Sequence, residues 1–309
     1  MSDAIERLVG LVDVKKHEEP ADAVGRALEL IHFDFKRSMK TIVIKPNLCY
    51  YWESSTGETT DPRFVEGIID LFRRNCDPEE ILIVESDATS MRTKHCFKML
   101  GYEELADRKG VKLVNLCEAP SGPSEDQGSD AFSRKIRIPE ILKKADVFIS
   151  VPKLKIHWFT GLSCALKNQF GCIPVRKKID FHAGINKAIA LINKSVTPDL
   201  IIVDGIVFVG EKNPVTRHIL PRRLNLVIAG YNPVTVDCVA AKILGLDSRK
   251  IGHIVESERI GVGPCLAECK GEDYRLFAER IPREPAWDRE LSRTLVRLYG
   301  FYLRLSGSN

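Results

Sequence analysis

The chain has 309 residues, of which 44% are hydrophobic and 28% charged, so it is long and apolar enough to bury a core and lacks the composition of a disordered protein. The formal net charge of +4 is too small for the dense basic face of a nucleic-acid-binding protein, and we predict no nucleic-acid partner. The N-terminus lacks the apolar core of a secretory signal, and no apolar run approaches the about 18 residues of a membrane-spanning helix. We therefore predict a cytoplasmic protein without a transmembrane anchor.

Short runs rich in β-branched residues recur along the chain and predict β-strands. Most are apolar at consecutive positions, which is typical of strands covered on both faces. The runs are TIVI at 41–44, ILIV at 81–84, VKLVNL at 111–116, ADVFISV at 145–151, DLIIVD at 199–204 and NLVIAG at 225–230. A weaker candidate is GLVDVK at 10–15.

Helical patterns lie between these runs. The first begins near residue 21, and the second begins at Pro62 with Asp61 as its N-cap. Further helices are predicted over residues 160–171, 184–194 and 232–245, the last with Asn232 as its N-cap. Strands that alternate with helices predict an α/β fold, with a mainly parallel sheet and helices on both faces.

We expect this α/β fold to form a single large domain over residues 1–275, followed by a C-terminal helical extension over 276–309. Within the extension, residues 287–305 place apolar residues at roughly helical spacing with arginines between them. This pattern predicts a helix packed on the body of the protein. A homodimer contact and a membrane-surface helix are the alternatives.

Polar residues follow several predicted strands, and parallel sheets collect their ligands at the carboxyl ends of the strands. The clearest case is VPKLKIHWFTGLSCALKNQFGCIP, residues 151–174. Lys153, Lys155 and His157 alternate with apolar residues, so in an extended segment their side chains share one side. A helix that begins near Thr160 would add free backbone N–H groups. We predict a binding site for a phosphate or carboxylate here. The alternative is a solvent-exposed basic edge of the sheet at which the lysines bind nothing.

Four more residues belong to the predicted site. Lys45 and Asn47 follow the run TIVI, while Lys167 and Asn168 lie two turns into the helix predicted at 160–171. A lysine at the end of a central strand is costly to desolvate without a function, so Lys45 is assigned a catalytic role. Asn47, Lys167 and Asn168 are assigned to substrate binding, although turn capping and exposure to solvent also explain Asn47 and Lys167.

His157, His182 and Asp87 are the candidates for proton transfer, because imidazole titrates close to neutral pH. Asp87, Asp204 and Asp237 would also suit a hard divalent ion that bridges to an anionic ligand. Ordinary turn chemistry explains Asp204 before a glycine equally well, and the helix dipole explains Asp237 near the start of a helix.

The nine cysteines are expected to be thiols or metal ligands rather than disulfides, as is usual in a cytosolic protein. Only Cys265 and Cys269 lie close together, and no run has the spacing of a ferredoxin-type cluster. The sequence also lacks a dinucleotide fingerprint and a P-loop. The cofactor therefore stays unknown, with an iron–sulfur cluster or a divalent metal both open.

Five motifs in order resemble the domain of unknown function 362 family. They are IVIKPNL at 42–48, the stretch from ADVFISV to KNQFG at 145–171, FHAGINKAIALI at 181–192, PDLIIVDGIVFVG at 198–210 and NPVTVDCVAAKILG at 232–245. The resemblance implies an α/β fold whose biochemistry is poorly defined. This chain departs from the family pattern in two respects. It lacks the cysteine-rich ferredoxin-like segment that many members carry, and it has Asn232 where members usually have an acid.

We predict an enzyme that binds and transforms a small anionic substrate at a pocket rich in lysine and histidine, at the carboxyl ends of the strands. The alternative is a metal- or iron–sulfur-dependent redox protein that uses an external electron donor, or that builds a site from Cys265, Cys269 and a distant cysteine such as Cys164 or Cys172. A non-catalytic scaffold that acts through its C-terminal helix is the third possibility.

Overall fold

A computed structural model of the chain describes residues 3–124, 133–209 and 221–281, together with the single positions 294 and 298. The described strands are β1 Leu8–Asp13, β2 Thr41–Pro46, β3 Glu80–Glu85, β4 Lys112–Asn115, β5 Ser121–Pro123, β6 Arg137–Pro139, β7 Val147–Val151, β8 Lys153–His157, β9 Gly161–Ser163, β10 Leu200–Val209, β11 Pro221–Gly230 and β12 Glu268–Gly271. The α-helices are α1 Asp3–Glu6, α2 Pro20–Leu30, α3 Pro62–Asn75, α4 Thr93–Met99, α5 Tyr102–Lys109, α6 Glu140–Lys144, α7 Ala165–Asn168, α8 Ile185–Ser195, α9 Pro233–Ile243, α10 Gly252–Arg259 and α11 Tyr274–Ala278.

One mixed, mainly parallel sheet organises the domain, with the strand order β12-β1-β11-β10-β7-β2-β3-β4. Strands β10, β7, β2, β3 and β4 run parallel to one another, and β12 is parallel to β1, whereas β11 is antiparallel to both β10 and β1. The first residues of β10 pair with β7, and its later residues pair with β8. Strands β7 and β8 therefore follow one another along the same side of β10, separated by Pro152.

Helices cover both faces of the sheet, as the sequence predicts. Along β2, Ile42 and Ile44 join the core beneath α2 and α3, while Val43 between them joins the core beneath α8 and α9. This alternation is the period of two expected for a strand. Because both faces are apolar, the central parallel strands read as continuous apolar runs.

Helix starts follow the predicted capping chemistry. The Asp61 carboxylate accepts a hydrogen bond from the backbone N–H of Arg63 at the start of α3. Asn232 does the same for the N–H groups of Val234 and Thr235 at the start of α9. Both helices have proline in the first turn, where a missing N–H has no consequence.

The helix predicted over 160–171 is wrong in its first part. Gly161, with φ of +79°, turns the chain back on itself, and β9 pairs antiparallel with β8. The backbone groups of residues 161–163 are thus used in a hairpin. Helix α7 begins only at Ala165 and is four residues long, followed by a 3₁₀ turn over Gln169–Cys172.

The predicted C-terminal extension lies largely outside the described residues, including the helix expected over 287–305 and the homodimer contact assigned to it. Its described beginning is the last part of α11, in which Phe277 is buried in the core beneath α9. Within the described ranges, no helix is both long and apolar enough to cross a bilayer.

Candidate functional site

A set of lysines lies at the carboxyl ends of β2, β3 and β7, where β8 continues the line of β7, and the site is built around them. Lys45 ends β2, Lys153 and Lys155 lie on β8, and Lys167 lies on α7. Lys178 joins them from the 3₁₀ segment Lys178–Gly184. Lys45, Lys153 and Lys155 are each at most 3% exposed, so the chemistry of the site depends on what compensates their charges.

Lys153 is neutralised inside the sheet by Asp204 of the neighbouring strand β10. Its Nζ lies 2.8 Å from the Asp204 carboxylate, and both side chains are buried. The same carboxylate accepts the backbone N–H groups of Asp61 at 3.1 Å and Ile206 at 3.1 Å. The pair therefore fastens β8 to β10 and to the start of α3. In this arrangement Lys153 has a structural partner rather than a free charge.

Lys155 is held by the loop after β2. Its Nζ donates to the Glu58 carbonyl at 2.7 Å and lies 3.1 Å from the Glu58 carboxylate and 3.0 Å from the Cys49 sulfur. Burial alone would lower the pKa of Lys155, but the charges and hydrogen bonds of Cys49 and Glu58 outweigh it and raise that pKa. Asn47 supports this loop, because its side-chain N–H group donates to the Glu58 carbonyl at 3.1 Å.

Lys45 forms a third buried pair with Glu85, which ends the neighbouring strand β3. Its Nζ lies 2.8 Å from Glu85 and 3.3 Å from the side-chain oxygen of Asn168. The Asn168 amide donates in return to the Lys45 carbonyl at 3.1 Å and to Ser150 at 2.9 Å. Gly171 packs directly on this pair, since a Cβ there would lie 2.5 Å from the lysine nitrogen. Asn168 thus joins the end of α7 to the ends of β2 and β7.

Lys167 and Lys178 differ from the other three, because neither has a carboxylate within ion-pair distance in the described part of the chain. Lys178 is buried, and its Nζ donates to Ser86 Oγ at 2.5 Å, to the Phe170 carbonyl at 3.0 Å and to the Ile173 carbonyl at 3.5 Å, so its hydrogen bonds are satisfied while its charge is not. Lys167 is half-buried and has no hydrogen-bond acceptor among the described residues. Burial, together with repulsion from neighbouring lysines, lowers the pKa of each to about 8.

Two histidines border the lysines. His157 Nδ1 accepts the backbone N–H groups of Phe159 at 3.3 Å and Thr160 at 3.2 Å, so the neutral ring carries its proton on Nε2. Burial and the charges of Lys167 and Lys155 lower the pKa of His157 well below its usual value. His182 Nδ1 is buried without a hydrogen-bond partner, and burial followed by Lys167 lowers its pKa too. Both imidazoles are therefore neutral at pH 7.

The three aspartates proposed as metal ligands do not converge. Asp204 serves Lys153, and Asp87 accepts the backbone N–H of Thr93 at 2.9 Å. Asp237 accepts the N–H groups of Ala165 at 2.7 Å and Leu166 at 3.2 Å, the first two residues of α7. Across the described ranges, no group of three or more His, Cys, Asp or Glu side chains is arranged as a ligand set.

The prediction that an anion binds at a helix start beside Lys153 and Lys155 is therefore wrong, because these groups already have partners within the protein. The backbone N–H groups at the start of α7 point at the internal carboxylate of Asp237. The charges of Lys153 and Lys155 are also matched by Asp204 and Glu58.

The cysteines contradict the expectation of thiols throughout. Cys238 on α9 and Cys265 in the loop before β12 form a disulfide, with their Cα atoms 5.7 Å apart. Cys265 and Cys269 are close in sequence but have different states, since Cys269 is a free and exposed thiol on β12. Cys164 and Cys172 are free and buried. α9 brings Cys238 to Cys265, a proximity that sequence spacing does not reveal.

Four residues of the site are not predicted from the sequence, namely Lys178, Glu58, Glu85 and Cys49. Lys178 stands in the basic run RKK, which resembles a solvated surface segment, and only the apolar Phe181 one turn later hints at burial. Glu58 lies in the polar loop TGETT, where nothing marks it as the partner of a buried lysine.

Comparison with known proteins gives a family and distant structural likenesses. The model of a domain of unknown function, DUF362, matches residues 42–242. A thylakoid-associated protein of Synechocystis sp. is 33% identical over 175 residues, which are 54% of this chain and 52% of that protein, so the match spans about half the length of the relative.

Two solved structures have a TM-score of 0.38 and 14% sequence identity to this chain. The lactate racemase apoprotein of Thermoanaerobacterium thermosaccharolyticum is matched over 84% of this chain and 58% of its own. A protein from Thermotoga maritima is matched over 77% of this chain and 59% of its own.

The buried pair of Lys153 and Asp204 yields the first prediction. Lys153→Met should lower the free energy of unfolding by about 3–5 kcal/mol, because it leaves the Asp204 carboxylate buried without its counter-charge. The control Lys16→Met removes a surface pair with Glu272 and should change it by no more than about 0.5 kcal/mol. Urea unfolding measures both. Equal effects of the two substitutions would contradict the structural role of Lys153.

Proposed function

The chain belongs to the DUF362 family, a domain of unknown function, and we propose that it is an enzyme that binds and transforms a small substrate bearing a phosphate or carboxylate group. The observation that carries this proposal is the pair of ammonium groups on Lys167 and Lys178, which have no carboxylate partner within the described residues. They lie at the carboxyl ends of the strands, where α/β sheets bind their ligands.

The charge balance of the site supports an anionic ligand. Lys45, Lys153 and Lys155 are each matched by one carboxylate, whereas Lys167 and Lys178 are not. Burial in a low-dielectric setting, and after it the repulsion from neighbouring lysines, lowers the pKa of both groups to about 8, which is the cost of keeping them charged. A bound phosphate or carboxylate would offset both charges. The site is thus better suited to an anion than to a cation.

The histidines supply complementary chemistry beside the lysines. Because His157 uses Nδ1 as an acceptor, it presents Nε2–H as a neutral donor, suited to a developing oxyanion. His182 has an unpartnered ring nitrogen and serves as the base that removes a proton. Lys167 would stabilise the negative charge that forms. We propose proton abstraction next to the anionic group as the reaction.

Lys45, Asn47 and Asn168 act in this proposal by positioning the ligand-binding segments, and Asp87 supports the loop after β3. The alternative, a metal- or iron–sulfur-dependent redox protein, stays a prediction that no contact among the described residues favours. The cytoplasmic location also stays a prediction. The free thiols fit a reducing compartment, whereas the disulfide between Cys238 and Cys265 fits an oxidising one.

Removal of the free charge at Lys167 should weaken anion binding. We expect Lys167→Gln to raise the Kd for sulfate and for acetate about 10- to 100-fold, the value of one charge-assisted contact. Lys98→Gln is the matched control, since it removes the same charge from an exposed position on α4 and should leave both Kd values within about twofold. Isothermal titration calorimetry measures all three proteins. Equal affinities of wild type and Lys167→Gln would refute the assignment of Lys167.

Anion affinity should fall as the pH rises through about 8, the pKa to which Lys167 and Lys178 are lowered. The anion binds the protonated lysines, so affinity is constant below this pH and decreases about tenfold per pH unit for each engaged lysine above it. Sulfate is a suitable probe because its own charge does not change in this range. In Lys167→Gln, the slope of log Kd for sulfate against pH above about pH 8 should decrease by the contribution of one lysine. A flat profile up to about pH 10 would show that ordinary surface lysines hold the anion.

Proton abstraction should appear as exchange of an α-hydrogen with solvent. In D₂O, carboxylates with an α-hydrogen should lose that proton signal in ¹H NMR only when the enzyme is present. His182→Gln should slow the exchange by about 100-fold or more while the Kd for acetate stays within about threefold. His157→Asn, which retains an acceptor for the two backbone N–H groups, should slow it by removing Nε2–H. Exchange at the wild-type rate in both variants would show that neither His157 nor His182 takes part in proton transfer.

A further inference from the structure

Large apolar side chains are exposed beside the site residues. Three site residues are each followed directly by one of them in the sequence. These pairs are Cys49–Tyr50, His157–Trp158 and Lys178–Ile179. A fourth exposed side chain, Trp52, lies two residues beyond Tyr50 and is 54% exposed. We call Tyr50, Trp52, Trp158 and Ile179 the apolar rim.

The segments that carry the apolar rim are fixed to the segments of the site. The Trp52 carbonyl accepts the hydroxyl of Thr59, next to Glu58, at 2.7 Å. The Ile179 N–H donates to Thr89 Oγ1 in the loop after β3, at 3.3 Å. The loop that carries Trp52 and the segment that carries Ile179 are therefore tied to loops that also belong to the site.

Trp158 continues a run of rings towards the histidines. Its indole lies 6.4 Å from the His157 ring with an angle of 18° between the planes, and 5.5 Å from the Phe159 ring. Phe159 in turn lies 5.8 Å from His182. Flat surfaces of this kind prefer flat partners, because offset stacking adds to the burial of apolar area.

We infer that the substrate of the proposed site is an anion attached to an aromatic body, with the anionic group at Lys167 and Lys178 and the aromatic body against the apolar rim. This inference rests on the proposed function and narrows its substrate class. The charge of the lysines accounts for the anion alone. The exposure of two tryptophans and a tyrosine on segments that also carry site residues, and the stacking of Trp158 on His157, support the aromatic body.

Two pairs of probes separate the contributions of charge and ring. Inorganic phosphate is compared with phenyl phosphate, and acetate with phenylacetate, by isothermal titration calorimetry on the full chain. We expect the aryl member of at least one pair to bind about 10-fold or more tighter than its simple partner. Trp158→Ala and Trp52→Ala should each reduce this ratio severalfold. Met99→Ala, an exposed apolar residue on α4, is the matched control and should leave the ratio unchanged.

The outcomes distinguish the inference from the proposed function. Equal affinities for the simple and aryl members of both pairs would refute the inference that the substrate has an aromatic body. The proposed anion site would then still stand. A preference for the aryl probe that persists in both tryptophan variants would also refute the inference, as would aryl binding that Lys167→Gln does not weaken. If none of the four probes binds, both the inference and the proposed function fail. A thermal melt of each variant checks that it is folded.

Discussion

The structure depends on how buried lysine charges are compensated. A buried ammonium group is stable only beside a carboxylate or several other acceptors, and three lysines of this sheet satisfy that need with Glu85, Asp204 and Glu58. Each pair crosses from one element to another. Together they fasten β2 to β3, β8 to β10, and β8 to the loop after β2. Electrostatic pairing thus organises the edge of the sheet where apolar packing ends.

The same pairing defines what is left over for function. Once three lysines are neutralised, the positive charge of Lys167 and Lys178 stands out against a balanced background. The segment that bears Lys167 is held by Gly171 against Lys45 and by the Asn168 amide on two strand ends, and Lys178 is held by its hydrogen bond to Ser86. In the proposed function, the fixed backbone positions of these two segments reduce the reorganisation needed for anion binding.

Asp237 connects this edge to the rest of the fold. Its carboxylate takes the two N–H groups at the start of α7, so that helix α9 positions the segment bearing Lys167. The next residue, Cys238, is bonded to Cys265 and ties α9 to the loop before β12. A residue that resembles a metal ligand in the sequence thus serves as an internal cap.

The amino-acid sequence by itself determined the alternation of strands and helices, the caps at Asp61 and Asn232, and the edge of the sheet where polar residues gather. These features follow from local periodicity and from short-range hydrogen bonding. Only the tertiary structure decided which lysines are neutralised, that residues 161–163 form a hairpin strand, and that Lys178 is buried. The partners that decide these points, such as Lys153 with Asp204 and Lys155 with Glu58, lie far apart in the chain. A buried charge is defined by its partner, and no local pattern of the sequence encodes a partner that the folding of the whole sheet brings into contact.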